Sequence, residues 1–169
     1  MALAGSTLTG CAEKSEAKKT DKSQPRFQIS LAQWSLHRML KSNKLTNLDF
    51  PKYSKDKFGV DAVEYVNQFF KTKAKDTTYL KDLKSRTDGE GIRNVLIMCD
   101  GEGRLGAETE EGRLKTVDNH KKWVEAAKLL GCHSIRVNAG GPGNREELAK
   151  RVVDGLTKLS TFAKDHEIN

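Results

Sequence analysis

From Phe27 onward, two hydrophobic rhythms alternate along the chain. Short segments rich in branched and aromatic residues come at Phe27–Gln33 (FQISLAQ), Val60–Val66 (VDAVEYV), Arg93–Cys99 (RNVLIMC) and Ser134–Asn138 (SIRVN). Each has the length and composition of a β-strand, and the nearly unbroken apolar run of the third suits a strand covered on both faces. Between and after them the spacing turns helical. A short helix is predicted around Pro51–Lys57, with Pro51 suited to a first turn. A second spans Thr77–Arg86, with Tyr79, Leu80 and Leu83 on one side. A third runs from about Glu110 to Leu130, with Leu114, Val117, Val124 and Ala127 along one face and Gly131 as its stop. The last is Arg145–Asp165, opened by Asn144 and Glu147 as a capping box and carrying Leu148, Val152, Leu156 and Leu159.

Strand starts about 32 to 41 residues apart are the pace of βαβ units, whose right-handed crossovers build a parallel sheet. The predicted class is therefore α/β: a parallel (β/α) barrel of the TIM type, truncated to about four strand–helix units. A complete barrel needs roughly 250 residues, and this chain has 169. Residues 27–169 are expected to form the amino-terminal half, with the first and fourth strands as open edges that allow self-association into a homo-oligomer.

Ahead of this body lie two other segments. Leu8-Thr9-Gly10-Cys11 reads like a bacterial lipobox, with Cys11 as the lipid acceptor. No Lys or Arg precedes it, so residues 1–11 read as the remnant of a longer signal peptide. Residues 12–26, rich in Lys, Glu and Ser, read as a flexible tether. The expected location is the exported, periplasmic side of a bacterial membrane, reached only through the lipid anchor; a cytosolic leader is the alternative. No apolar run approaches the ~20 residues of a spanning helix.

The net charge of +7 adds little. Lysine dominates the excess without interleaved aromatics or arginine clusters, so it reads as solvated surface rather than a nucleic-acid site. Cys99 and Cys132 fall at opposite ends of successive strands, roughly 15–20 Å apart at ~3.3 Å per residue, and should be free thiols.

In such barrels the chemistry sits at the carboxyl ends of the strands. Alternation turns Ala62, Glu64 and Val66 of the second strand, and Arg136 and Asn138 of the fourth, toward the lumen. Glu64 and Arg136 are then expected to meet as a structural ion pair, or Glu64 to contact substrate directly. Trp34 and His37, after the first strand, can supply a wall and a polar handle for a small ligand. His120 shares a helix face with Val117 and Val124 and reads as a packed residue. Gly101–Gly106 (GEGRLG) satisfies the dinucleotide pattern, but Glu108, Glu110 and Glu111 would repel a pyrophosphate at the following helix start. Gly140-Gly141-Pro142-Gly143 reads as a wide turn.

The succession ISLAQWSLH, GVDAVEYVNQFF, IMCDGEGRLG and LGCHSIRVNAGG, with Arg113, His120, Trp123 and Ala127 on the intervening helix, resembles the xylose isomerase-like TIM-barrel family of sugar phosphate isomerases and epimerases. The resemblance implies a sugar or sugar-phosphate substrate and metal-assisted proton transfer next to a carbonyl. It also implies a divalent metal (Mn, Mg, Co or Zn) held by residues of strands five to eight, so that this segment carries no metal ligand and is inactive alone. What carries over is a substrate wall of Trp34, His37, Glu64, Asp100 and Asn138; no catalytic residue is assigned. The alternatives are a lipid-anchored carbohydrate-binding protein without catalysis, or an abasic-DNA endonuclease relative. The second would need histidine ligands near strands two and three, where this chain has none. The sugar, the metal and the oligomeric state are left open.

Overall fold

The structure, a computed structural model, describes residues 27–169; Cys11 and the expected signal and tether segments lie outside the described residues. Four strands, β1 (Leu31–Ala32), β2 (Ala62–Val66), β3 (Arg93–Met98) and β4 (Ser134–Arg136), form one sheet in the order β1-β2-β3-β4, and every neighbouring pair is parallel. Five helices alternate with them: α1 (His37–Lys41), α2 (Phe50–Phe58), α3 (Thr77–Gly89), α4 (Glu110–Leu130) and α5 (Arg145–Lys164). This is the architecture of a partial (β/α) barrel.

The core lies between the sheet and its helices. Val63, Tyr65 and Ile97 project from the sheet onto Phe50, Leu80, Leu83, Val124, Ala127 and Leu130, all fully or nearly fully buried. Aromatic rings knit the middle: Tyr65 meets Phe50 and Phe70 edge-on at 6.5 and 6.0 Å, and Phe70 meets Trp123 at 5.3 Å, offsets that favour edge-to-face attraction. One polar cluster is sunk in this layer. The Tyr65 hydroxyl donates to Asn94 Oδ1 at 2.7 Å, and Asn94 Nδ2 donates to Thr87 Oγ1 and to the Leu130 carbonyl. The last bond caps α4 from within the sheet, before Gly131 ends the helix in a left-handed conformation.

Helix starts follow local chemistry. Asp76, Thr109 and Asn144 each accept a backbone N–H three residues on, from Tyr79, Gly112 and Glu147, as N-caps do. Several expected details shift. β1 is two residues long rather than Phe27–Gln33, and Phe27 and Ile29 are 72% and 69% exposed. The strand stops because Gln33 turns into a 3-10 turn (Gln33–Leu36) and sends its side chain where its backbone would have gone. Gln33 Oε1 accepts the Val66 N–H at 2.7 Å, continuing the ladder by other means. β4 ends at Arg136, leaving Asn138 in the following loop. Leu114 and Leu156 are 45% and 38% exposed rather than packed, while Trp123 and His120 are buried.

The surface charge is interleaved. Lys52 pairs with Asp56 and Glu90, Lys84 with Asp88, and Lys121 with Asp118. Asn169 lies against β4: its N–H donates to the His133 carbonyl and its carbonyl accepts the Ile135 N–H. Between β4 and α5 runs a groove of about 760 Å³ lined by Ile135, Val137, Leu156, Leu159 and Ile168. Cys99 and Cys132 are free, buried thiols. Burial pushes the thiol of Cys132 up to about 12.

Candidate functional site

At the carboxyl ends of the strands, Ala32, Trp34, Ser35, Val66, Met98, Asp100 and Arg136 line a depression of about 410 Å³. Its polar centre is Asp100. Oδ1 accepts from Arg136 Nη1 at 3.1 Å and from Asn138 Nδ2 at 2.9 Å, and Gln68 Nε2 lies 3.4 Å from Oδ2. Arg136 also donates to Asn138 Oδ1 at 2.8 Å, so the three side chains close a ring. Burial pushes the Asp100 carboxyl upward, but the Asn138 hydrogen bond and the Arg136 charge outweigh it and hold the group below its ordinary range. Asp100 is therefore an ionised acceptor, and its second oxygen is the less committed one.

The apolar wall is Trp34, 44% exposed. His37 stacks on it at 5.0 Å with planes 17° apart, and Phe69 lies 6.3 Å away. His37 Nδ1 is 2.7 Å from the Trp34 carbonyl; a carbonyl only accepts, so Nδ1 carries the proton. His37 thus braces the tryptophan. Beneath them Gln33 Nε2 donates to Asn47 Oδ1 at 2.5 Å, and Asn47 Nδ2 donates to the Tyr79 hydroxyl.

The expected Glu64–Arg136 ion pair is not formed. The register puts Glu64 in one row with Leu96 and Ser134, and Arg136 in the next row with Met98 and Val66. Two strand spacings and one two-residue step separate them by about 12 Å. Glu64 instead accepts from Ser30 Oγ at 2.5 Å, and Arg136 takes Asp100. Of the expected wall, Trp34, Asp100 and Asn138 converge, His37 stands behind Trp34, and Glu64 sits one layer deeper.

Residues that sequence reasoning passed over anchor this arrangement. Asn67, fully buried at the end of β2, donates Nδ2 to the Asp100 carbonyl at 2.9 Å and accepts the Asp100 N–H on Oδ1 at 3.0 Å. Glu102, in the loop between Gly101 and Gly103, is 4% exposed. Its carboxylate accepts from Trp123 Nε1 at 2.9 Å, Lys122 Nζ at 2.7 Å and Asn67 Nδ2 at 3.2 Å. Burial pushes its pKa up; the bonds from Lys122 and Trp123 outweigh that and hold it low. A Cβ at Gly103 would collide with Thr116 of α4, so the loop around Glu102 lies flat on that helix.

The loops after β3 and β4 also join each other. Gly106 N–H donates to the Gly140 carbonyl at 3.0 Å, and Arg151 donates to both the Gly106 and Pro142 carbonyls. Helix α5 comes close enough that a Cβ on Gly155 would overlap the Leu105 carbonyl.

Among the described residues, no three His, Cys, Asp or Glu side chains converge as a metal ion would require. Asp100 is surrounded by a cation and amides instead. The side chains at this edge do not by themselves fit the divalent metal that the resemblance places on strands five to eight.

A parallel sheet with helices on one face and a polar cluster at its carboxyl edge defines part of an α/β barrel. The profile of the xylose isomerase-like TIM barrel matches residues 56–169, and the chain belongs to that family. Among solved structures, IOLI protein with a bound zinc atom superposes with a TM-score of 0.63 at 20% identity over 85% of this chain and 50% of its own. D-psicose 3-epimerase from Clostridium cellulolyticum H10, solved with D-tagatose, gives 0.61 at 14% identity over 84% and 50%. The 3-keto-D-glucoside 4-epimerase YcjR from E. coli gives 0.56 at 20% over 72% and 48%. These likenesses show the fold, and the chain spans about half the length of the structures it matches. No curated protein matches the sequence.

Proposed function

We propose that this chain contributes one wall of the substrate pocket in a sugar isomerase or epimerase, and that its own residues bind and orient the sugar. The carrying observation is that Trp34, 44% exposed, lines one depression together with Asp100 and Arg136 of the Asp100–Arg136–Asn138 ring. A pyranose or ketose has an apolar C–H face and a hydroxyl edge. The first suits an aromatic face, and the second suits an ionised carboxylate, which accepts two to four hydrogen bonds. Sugars are bound by structural neighbours named as epimerases, which supports the class of ligand. Moving a proton next to a carbonyl, with a divalent metal as Lewis acid, belongs to the proposal for the whole barrel. In it this chain would hold the ring and exclude water from one side.

The test is saturation-transfer NMR on the full 169-residue chain with D-fructose and D-tagatose. Transfer to the ring C–H protons is expected. It should fall at least about five-fold in Trp34→Ala and Asp100→Asn, each the loss of roughly one good contact. Absence of transfer, or transfer indifferent to both changes, would overturn the reading. Tight binding of an abasic-site duplex instead would favour the nuclease relative.

A further inference from the structure

Asp100 and Glu102 flank a single glycine and point opposite ways, one to the mouth and one into the helix layer. The two are linked through Asn67. Its carboxamide clamps both backbone groups of Asp100, and the same Nδ2 that reaches the Asp100 carbonyl also reaches Glu102 Oε1. Glu102 is itself fixed from α4: Lys122 and Trp123 hold the carboxylate, and Asn119 Nδ2 donates to its backbone carbonyl at 3.0 Å. A buried carboxylate is costly unless fully paired. Nothing in the packing of α4 alone demands one here, because Trp123 and Lys122 could each reach a neutral acceptor. What the charge adds is a fixed orientation for the Asn67 amide, since an anion beside Nδ2 excludes the flipped amide that would present Oδ1 to it.

We propose that Glu102 is a positioning residue: through Asn67 it fixes the backbone of Asp100 so that the Asp100 carboxylate meets Asn138 and Arg136 at the mouth. The consequence for sugar binding rests on the function proposed above; the relay itself does not.

The sign of one titration separates this role from a structural one. The charged groups around Glu102 are Lys122 and Lys71, with His120 nearby, and Arg136 faces Asp100. If Glu102 acted only through space, Glu102→Gln would remove a like charge and lower the Asp100 pKa further. If it positions Asp100, the same change lets the carboxylate drift from Asn138 and Arg136, and the pKa rises toward the ordinary carboxylate range.

The experiment is a ¹³C-carboxyl titration of the full chain, with the Asp100 signal assigned by its loss in Asp100→Asn. An upward shift of the Asp100 midpoint is expected in Glu102→Gln and in Asn67→Ala, with no further rise in the double variant. An unchanged or lowered midpoint in Glu102→Gln overturns the proposal. Should Glu102→Gln fail to fold, Asn67→Ala decides by the same sign. In the unmutated chain, the Asp100 amide must be protected from hydrogen exchange, and free exchange there overturns the clamp without any variant. D-Fructose saturation transfer on the same samples reads the other question. If the midpoint rises but the unmutated chain shows no transfer, the relay stands and the sugar reading falls.

Discussion

Replacing Gln33 by Met tests whether a side chain really completes the β1–β2 ladder. The change keeps the length and volume of a fully buried residue and removes both of its hydrogen bonds. Two buried groups lose their partner, the Val66 N–H and Asn47 Oδ1. Each orphaned group costs about 1–3 kcal/mol, together about 2–6. The apolar Met chain offsets about 1.5–3 of this by being buried, leaving a net loss near 2 kcal/mol. The readout is hydrogen exchange at the Val66 amide, which should speed up about thirty-fold, since each 1.4 kcal/mol is a factor of ten. Urea denaturation should show a stability loss of similar size. In the double variant Gln33→Met with Asn47→Leu, the stranded acceptor is gone, and the combined loss should be smaller than the sum of the two single losses. Val66 exchange within two-fold of the parent, or strict additivity in the double variant, would show that the Gln33 bond is incidental and that the Trp34 turn is held by something else.

Two further outcomes follow from packing and charge. Gly155→Ala lies within α5, where alanine normally gains about 1 kcal/mol over glycine. Here its Cβ would meet the Leu105 carbonyl, so the melting temperature should fall, and a rise would refute the close approach of α5. His120 is buried and its Nδ1 donates to the Thr116 carbonyl at 2.7 Å; burial lowers its pKa below the ordinary 6.5. With the folded value below the unfolded one, the neutral form is favoured in the native state. Stability is then fully present above pH 6.5 and is lost as pH falls through and below that value. The urea midpoint should drop between pH 7 and 5.5, and the drop should shrink in His120→Gln; identical slopes for both proteins would refute it.

The fold was readable because its largest signal is periodic. Strand and helix alternation needs only burial on a fixed repeat, and β2, β3, α3, α4 and α5 came out close to their predicted bounds. The site was readable where a residue faces the mouth by alternation or position, as with Trp34 and Asn138. It was not readable where register decides. Between Val63 and Glu64 the β2–β3 pairing shifts by one residue, which brings Asn94 and Ile97, three apart, onto the same helix-facing side. No alternation rule applied to β3 predicts that. Likewise Arg136 had two carboxylates within plausible reach, and only the row in which it sits selects Asp100 over Glu64. Glu102 shows the other limit. A carboxylate between two glycines reads as solvent-exposed loop, and its burial depends on Asn67, Lys122 and Trp123, brought there from 35, 20 and 21 residues away.

The backbone bond from Gly106 to Gly140, with Arg151 reaching into both segments, makes the loops above β3 and β4 a single plate. A ligand that pushes on one pushes on both, and α5 lies under the pair. The half of the mouth built on Asp100 and Asn138 is accordingly the stiff jaw. On the proposed sugar-binding reading, accommodation of rings of different size would fall to the opposite jaw, where Trp34 rides on a short turn that the Gln33 side chain ties to β2. Selectivity between ligands that share a hydroxyl pattern but differ in ring bulk should therefore respond to substitutions around Gln33, Asn47 and His37 sooner than to changes beneath the plate.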